Sequence, residues 1–294
     1  MSTTESRDYV TAGGIRVRHQ VREERYQDAA EPIRLALDER RGVLLTSSFE
    51  YPGRYTRWDI GFVDPPLEFV ARGRAITLRA LNARGEVLLA PIAAALQGLD
   101  ALTDLECAPG IVRAQVRESE GWFPEELRTR QPTVFSVLRR IIELFHDAED
   151  TYLGFYGAFG YELAFQFEPT RLALERDASD RDLVLYLPDE VLIVDHRKEA
   201  ATTHLYEFAH GGHDTRGLAR DGSREPYRGA DEVARHCDHA QGEYAAIVRE
   251  AIECFRRGDL FEVVPARPSS SRARRRPRRC SAASSSATPR RTAR

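Results

Sequence analysis

The sequence contains few cysteines, methionines and tryptophans: four, one and two, respectively, among 294 residues. The cysteines are spaced widely and irregularly, which fits neither a zinc motif nor a disulfide framework and indicates reduced thiols; they are Cys107, Cys237, Cys254 and Cys280. The N-terminus lacks an apolar signal core, and no apolar run approaches the ~20 residues needed to cross a bilayer. These absences predict a cytoplasmic protein with no membrane partner.

The sequence also lacks a phosphate-binding loop. Residues 154–160 contain three glycines spaced three apart, which matches neither the dinucleotide fingerprint nor the Walker loop. We interpret them as points of close backbone packing in a sheet. His236 and His239 could share a helical face and bind a metal, but no second ligand pair lies nearby. We therefore interpret 236–239 as the polar start of a helix and predict no metal site in this chain.

Charge is distributed unevenly along the chain. The net charge is only −3, yet residues 267–294 are rich in Arg and Ser and contain no acidic residue. The remaining body is clearly anionic, which argues against nucleic-acid binding. An RNA- or DNA-binding arm is an alternative for 267–294, and salt-dependent binding lost on their deletion would support it.

Residues 267–294 also break the pattern of the preceding chain. An amphipathic helix is predicted at 241–255 and an apolar strand begins within 258–265, after which Arg, Ala, Pro and Ser dominate. A shifted reading frame in a GC-rich gene produces this composition. When GC-rich codons are chosen for 278–293, one shifted frame reads as an amphipathic helix followed by a turn. We therefore expect a disordered, frameshifted tail, and an unpaired sheet edge where the following strands would lie.

Hydrophobic periodicity predicts a strand-rich body with interspersed helices. Residues 8–23 form a predicted hairpin around Gly13 and Gly14. The other predicted strands are a buried one at 43–48, alternating runs between 55 and 89 with a hairpin connection at 82–85, and strands at 183–187, 191–194 and 202–208. The other predicted helices lie at 31–41, 92–99 and 133–145. This content indicates an α+β fold with large antiparallel sheets.

Several short motifs are informative as an ordered set. They are Val-Leu-Leu-Thr-Ser-Ser at 43–48, Gly-Arg-Tyr-Thr at 53–56, Tyr-Leu-Gly-Phe-Tyr-Gly-Ala-Phe-Gly-Tyr-Glu at 152–162, Phe-Glu at 167–168, Pro-Asp at 188–189, Asp-His at 195–196 and Gly-Asp-Leu-Phe-Glu-Val-Val at 258–264. Over about residues 7–265, their order and spacing resemble anthranilate synthase component I, a family of chorismate-utilising enzymes. The resemblance is closest to the bacterial type in which synthase and glutamine amidotransferase are fused in one longer chain.

The resemblance implies a sandwich of large antiparallel sheets with outer helices, here truncated. It assigns 7–209 to the N-terminal region, 210–235 to a linker, 236–266 to the start of the chorismate-binding domain and 267–294 to the tail. The implied reaction converts chorismate and ammonia into anthranilate and pyruvate, with Mg²⁺ and with ammonia supplied by a glutamine amidotransferase domain or subunit. The family's Mg²⁺ ligands lie downstream of the Val-Val motif, so we expect this chain to be inactive as it stands. A homo-oligomer is possible.

The resemblance also singles out three residues. Glu262 stands where relatives that add water instead of ammonia carry a basic Lys, so a carboxylate there favours the ammonia-using branch; a plain strand-end carboxylate is the alternative. Ser47 matches the Ser of a Leu-Leu-Glu-Ser strand that helps to bind the inhibitor tryptophan, and its hydroxyl could hydrogen-bond that ligand. Thr46 replaces the family's Glu, which puts tryptophan sensitivity in question.

Two other functions stay open. An aminodeoxychorismate or phenazine-type synthase shares the scaffold and the ammonia chemistry. A non-catalytic tryptophan-binding regulatory module would need only residues 1–265, and tryptophan binding by that segment would support it.

Overall fold

The computed structural model describes residues 4–46, 57–119, 123–128, 130–168, 180–224, 236–237, 240–265 and 269–270. Within these ranges the elements in chain order are β1 (Thr4–Val10), β2 (Arg16–Glu24), α1 (Glu31–Ala36), β3 (Gly42–Leu45), β4 (Trp58–Val63), β5 (Leu67–Arg72), β6 (Ala75–Ala80), α2 (Ala83–Leu96), β7 (Leu102–Ala108), β8 (Ile111–Val116), α3 (Glu125–Arg128), α4 (Val134–Phe145), β9 (Tyr156–Phe159), β10 (Leu183–Leu187), β11 (Glu190–Asp195), β12 (Ala200–His210), β13 (His213–Asp214), β14 (His236–Cys237), α5 (Glu243–Arg257) and β15 (Ser269–Ser270). A 3₁₀ helix covers Tyr161–Gln166.

The chain forms two compact units, Met1–Glu225 and Pro226–Arg294. The domain bounds drawn from the sequence stay a prediction.

Two antiparallel sheets form the first unit. One has the strand order β1-β2-β12-β11-β4-β3, with β13 added beside β12, and the other has the order β7-β8-β6-β5-β10-β9. The chain passes from the second sheet to the first between β10 and β11, at the Pro188-Asp189 turn. This arrangement confirms the α+β class with large antiparallel sheets.

The main core joins both sheets with two helices. α2 packs against β6 and β8 of the second sheet, β12 of the first sheet and α4. The buried side chains come from all of these elements and include Val17, Phe69, Leu78, Leu88, Ile92, Val137, Ile141 and Phe208. Burial of such apolar surface, at roughly 25 cal/mol per Å², is the main stabilising contribution to the unit.

Several elements agree with the predictions from periodicity. The first hairpin forms as β1 and β2, and Gly14 has the positive φ of +81° that its turn requires. Helical spacing predicts an apolar face on α4, and the structure buries its members except Ile142, which is exposed; the buried members are Val134, Val137, Leu138, Ile141 and Phe145. Strands β10, β11 and β12 match the three predicted strands within a few residues. A Cβ at Gly157 would collide with the carbonyl oxygen of Val184, and one at Gly160 would lie 3.0 Å from that of Asp182, which confirms close backbone packing at these two glycines. A Cβ at Gly154 would meet nothing within 4 Å, so the prediction was wrong there.

The prediction of a hairpin at 82–85 and a strand after it was wrong, because helix α2 begins there. Asn82 has an extended backbone, and its side-chain oxygen accepts hydrogen bonds from the N–H groups of Arg84 and Gly85. Capping of the free N–H groups by Asn82 therefore stabilises the start of the helix. The helix predicted at 92–99 is the second half of α2.

Other differences have simple causes. The structure adds two strands that the sequence analysis missed, β7 and β8, and β7 is largely exposed because it lies at a sheet edge. α1 ends at Ala36, earlier than predicted. β3 is only half-buried, since it is also an edge strand, and the end of its predicted range (47–48) lies outside the described residues, as does the predicted turn at 52–53.

The second unit is small in its described part. α5 confirms the predicted helix and ends at Gly258, whose φ is +80°. The helix start expected at 236–239 was wrong, because His236–Cys237 pair with Ser269–Ser270 as short strands and α5 begins at Glu243. The strand expected within 258–265 is also absent from these described residues, where Phe261 and Val264 are largely exposed. None of the described helices has the length and apolarity that a membrane span requires.

Candidate functional site

The structure places two of the three predicted site residues and leaves one outside its described ranges. Thr46 follows directly after β3 and is exposed. Glu262 follows α5 in the second unit and is also exposed. Ser47 lies outside the described residues. Thr46 and Glu262 therefore belong to different units, and the surroundings of Thr46 can be described in detail.

Strand register defines the neighbours of Thr46. β3 and β4 are antiparallel, with Leu44 opposite Gly61 and Leu45 opposite Ile60. Continuing this register by one residue brings Thr46 opposite Asp59. A Cβ on Gly61 would touch the side chains of Leu44 and Ile33, so this face of the sheet lies under α1. Because side chains alternate along a strand, Thr46 shares the α1 face with Leu44.

A small apolar cluster lies beneath α1. Its buried members are Leu192, Val194 and Ala201, and the partly buried side chains packed against them are Tyr26, Ala29, Ala30 and Ile33. Val194 pairs with Asp59 across β11 and β4, which places Asp59 at the border of this cluster. Packing against this apolar cluster restricts the motion of the neighbouring polar side chains and limits their contact with water.

Three polar side chains form a chain along the border of that cluster. The Nε2 of His196 lies 2.9 Å from Oδ2 of Asp59, and its Nδ1 lies 3.1 Å from the hydroxyl of Tyr26. These partners place the ring proton on Nε2, which donates to Asp59, while Nδ1 accepts from Tyr26. The backbone N–H of His196 also donates to the carbonyl of Arg57 at 2.8 Å. We refer to Thr46, Asp59, His196 and Tyr26 as the β3-end site.

The side chains next to this site are held by an ion pair. Arg57 lies 3.1 Å from Asp195, and its guanidinium stacks 4.3 Å above the ring of Trp58. Burial opposes ionisation of Asp195, but hydrogen bonds from Arg57 and from the N–H groups of Lys198 and Arg197 hold its pKa below the ordinary value. Thus the Asp-His motif at 195–196 anchors both the ion pair and the β3-end site.

A second polar cluster faces the main core. The Nε2 of His19 lies 2.9 Å from Nδ1 of His204, and its Nδ1 lies 3.3 Å from the carboxylate of Asp150. Asp150 also accepts hydrogen bonds from the hydroxyls of Tyr9 at 2.7 Å and Tyr206 at 3.2 Å. When both histidines are neutral, the His19–Asp150 and His19–His204 contacts each contain one hydrogen-bonding proton. We refer to these residues as the core histidine cluster.

Burial governs the titration of the core histidine cluster. It lowers the pKa of His204 to about 4, and the neighbouring His19 lowers it further. Burial also lowers the pKa of His19, against the attraction of Asp150. The pKa of Asp150 lies below its ordinary value, because the hydrogen bonds from Tyr9, Tyr152 and Leu153 outweigh the effect of burial. At neutral pH the cluster therefore holds neutral imidazoles beside an ionised carboxylate.

A third polar group joins α2 to the first sheet. Arg84 is fully buried, binds Asp189 through Nε and lies 3.0 Å from Glu207. Its other N–H groups donate to the backbone carbonyls of Thr215 and Tyr206 at 2.7 and 2.8 Å. Burial raises the pKa of Asp189. The Pro-Asp motif at 188–189 thus supplies the partner of a buried arginine.

Most of these groups could not be predicted from the sequence. No local pattern links His19 to His204, which lie 185 residues apart in the chain. Asp195 and His196 belong to one of the ordered motifs, but the motif alone indicates no role for either side chain. Asp59 belongs to none of the motifs and lies only within a predicted run of strands. Only the pairing of strands brings these residues together.

Comparisons with known proteins agree with the fold. A model of chorismate binding enzymes matches residues 106–292. The chain is 48% identical over 257 residues to an anthranilate synthase from Azospirillum brasilense, which covers 87% of this chain and 35% of that protein. It is 28% identical to anthranilate synthase component 1 from Serratia marcescens, covering 78% of this chain and 46% of that protein. It is 26% identical to the pyocyanine-specific component 1 from Pseudomonas aeruginosa, with 76% and 44% covered.

The chain therefore spans between about a third and a half of the length of these relatives. The family match extends over more than half of the chain and includes strands β8, β9 and β10 of the second sheet, the crossing to the first sheet and residues 226–292 of the second unit. The motifs at 152–162, 167–168, 188–189, 195–196 and 258–264 lie within the matched range. The chain belongs to the family of chorismate-binding enzymes.

Proposed function

We propose that this chain provides part of an anthranilate synthase, component I, which converts chorismate and ammonia into anthranilate and pyruvate for tryptophan biosynthesis. The observation that carries the proposal is the 48% identity over 257 residues to the anthranilate synthase of Azospirillum brasilense. The ordered motifs from residue 43 to residue 264 support it. The proposed substrate is chorismate, and a glutamine amidotransferase domain or subunit supplies the ammonia.

We propose that the residues that bind Mg²⁺ belong to the downstream part of the enzyme. Among the described residues, no three His, Cys, Asp or Glu side chains converge in a way that could hold a metal ion. The donor groups present do not fit the ion, and we derive no step through it. This chain's proposed contributions are the scaffold, Glu262 and the tryptophan-binding strand end.

Glu262 is proposed to favour ammonia as the nucleophile. A carboxylate is a poor substitute for the Lys that acts as a base toward water in relatives of the other branch. The exposed position of Glu262 after α5 leaves its side chain accessible.

Tryptophan is proposed to bind at the end of β3 through Thr46 and Ser47. The exposed end of that strand, bordered by the polar chain of Asp59, His196 and Tyr26, supports this placement. A cytoplasmic location and a homo-oligomer stay predictions from the sequence.

A chimeric enzyme tests the proposal. Residues 1–265 of this chain are joined to the downstream part of the Azospirillum brasilense enzyme, and anthranilate fluorescence is followed with chorismate, ammonium and Mg²⁺. We expect the chimera to form anthranilate and the 294-residue chain alone to form none. The matched variant Glu262→Lys should reduce ammonia-dependent turnover by roughly 10- to 100-fold.

The same assay separates the alternatives. A folded chimera that makes aminodeoxychorismate in place of anthranilate would favour the aminodeoxychorismate-type synthase. A folded chimera that consumes no chorismate would contradict the enzyme assignment, and tryptophan binding without turnover would then favour a regulatory module.

A further inference from the structure

We propose that residues 215–224 form a strap that Arg84 locks onto the first unit, and that turnover by the complete enzyme requires the locked strap. The strap runs from the end of β13 to residue 224, one residue before the first unit ends at Glu225. Only the requirement for turnover rests on the proposed function. The locking itself follows from contacts that the first unit makes with this stretch of chain.

The strap begins at a fully buried residue. The backbone N–H of Thr215 donates to the carbonyl of Phe208 at 2.9 Å. The hydroxyl of Thr215 accepts from the N–H of Phe208 at 2.8 Å and donates to the carboxylate of Glu207 at 2.7 Å. Because a buried polar group is costly to leave without its partners, these three bonds to β12 fix the start of the strap.

Arg84 joins the strap to helix α2 and to the sheet. Its Nη1 donates to the carbonyl oxygens of Thr215 at 2.7 Å and of Leu218 at 3.2 Å. Its Nε binds Asp189, and its Nη2 lies 3.0 Å from Glu207. The side chain is 1% exposed. A planar guanidinium directs its donors to several fixed positions at once, so this one cation holds the strap and two carboxylates together.

Two side chains hold the middle of the strap. Arg220 donates to the carbonyl of Tyr206 at 2.9 Å and to the carboxylate of Glu207 at 2.7 Å. Asn82, whose side-chain oxygen caps α2, uses its amide nitrogen to donate to the carbonyl of Asp221 at 2.9 Å. The residue that starts α2 therefore also holds the strap.

The last part of the strap lies against the residue that follows β4. A Cβ at Gly222 would come within 2.7 Å of Oδ1 of Asp64, a buried side chain that is paired with Arg40. Arg224 forms an antiparallel bridge with Arg40. The close approach thus requires glycine at position 222, and contacts with the first unit continue to residue 224.

The strap decides how much of the chain moves with the first unit. Residues 215–224 cannot move independently while they are locked, whereas their release adds ten residues to the connection that leads out of the first unit. Doubling the length of a flexible connection lowers the effective concentration of the parts that it joins by roughly threefold. We therefore expect a released strap to slow turnover although the first unit stays folded, which makes Arg84 and Arg220 positioning residues.

Hydrogen exchange of the 294-residue chain, followed by mass spectrometry, tests the lock. Arg84→Lys keeps the positive charge but lacks the planar fork that reaches both the carboxylates and the strap. We expect Arg84→Lys and Arg220→Met to speed exchange within residues 215–224 by roughly tenfold, as the loss of about one hydrogen bond does, and to leave exchange in α4 and β10 unchanged.

A matched control lies on the strap itself. Arg216 is exposed and pairs at 2.5 Å with Asp214, two residues away, so Arg216→Met should exchange like the wild type. A wild-type strap that exchanges as fast as an unfolded peptide, or equal rates in the wild type and Arg84→Lys, would overturn the lock. So would an equal rise in α4 and β10, because Arg84 would then support the whole unit and not the strap in particular.

The same variants in the chimera test the requirement for turnover. We expect kcat for anthranilate formation to fall by roughly threefold, with little change in the KM for chorismate. Gly222→Ala should have the same effect, and combining it with Asp64→Ala, which makes room for the added Cβ, should restore both kcat and the slow exchange of the strap. Unchanged kcat with a released strap would refute the requirement. An inactive wild-type chimera would contradict the proposed function and the requirement with it, and the exchange rates would still decide whether the strap is locked.

Discussion

Acid should destabilise this protein through the core histidine cluster. His204 is 5% exposed and its folded-state pKa is about 4, against about 6.5 when unfolded. As the pH falls, the unfolded state therefore binds the proton first, and the stability present above pH ~6.5 is lost toward pH ~4. His19 contributes in the same direction because its pKa is also lowered. Asp150 stays ionised in this window, since its pKa lies below the ordinary carboxyl value.

The linkage relation gives the size of the effect. A histidine with these two pKa values loses about 2 kcal/mol of unfolding free energy between about pH 7.5 and about pH 5, and approaches roughly 3 kcal/mol at lower pH. Stability is lost because protonation of His19 or His204 adds a second proton to a hydrogen bond between them that already contains one. That proton also has to enter a core-facing site with little water.

Urea unfolding followed by far-UV circular dichroism at several pH values measures this loss. The informative quantity is the pH dependence, because His204→Gln also removes contacts and changes stability at every pH. We expect His204→Gln to flatten the curve between about pH 5 and about pH 7 by roughly 2 kcal/mol relative to the wild type. The control His213→Gln alters an exposed histidine and should keep the full slope. An unchanged slope in His204→Gln would refute the reasoning.

Two further predictions concern the scaffold and use urea unfolding near neutral pH. Arg84→Met should destabilise the first unit by roughly 3–5 kcal/mol, because it leaves the buried Asp189 and the half-buried Glu207 without their main cation. A change below about 1 kcal/mol would show that Arg220 replaces it. Gly85→Ala should destabilise the protein although Ala is the better helix former, because its Cβ would collide with the carbonyl oxygen of Pro66. A gain in stability for Gly85→Ala would contradict that packing.

Much of the fold follows from patterns within single segments. The first hairpin, α4, α5 and strands β10 to β12 were predictable because side-chain periodicity and glycine turns act between near neighbours in the chain. α2 was mistaken for a hairpin because the Asn-Ala-Arg-Gly segment suits a turn as well as a cap, and its packing against both sheets decided between them. β7 escaped prediction because an exposed edge strand buries too little apolar surface to show a clear alternation.

The family could be recognised from ordered motifs, because such motifs are local strings of residues. The sites could not, because their members are distant in the chain. The pairing of β2 with β12 brings His19 to His204, and the pairing of β3 with β4 brings Asp59 to the end of the strand that carries Thr46. The linear pattern thus fixes strands, helices and family, whereas shared burial and strand register decide which charges meet, because both depend on the folded sheet.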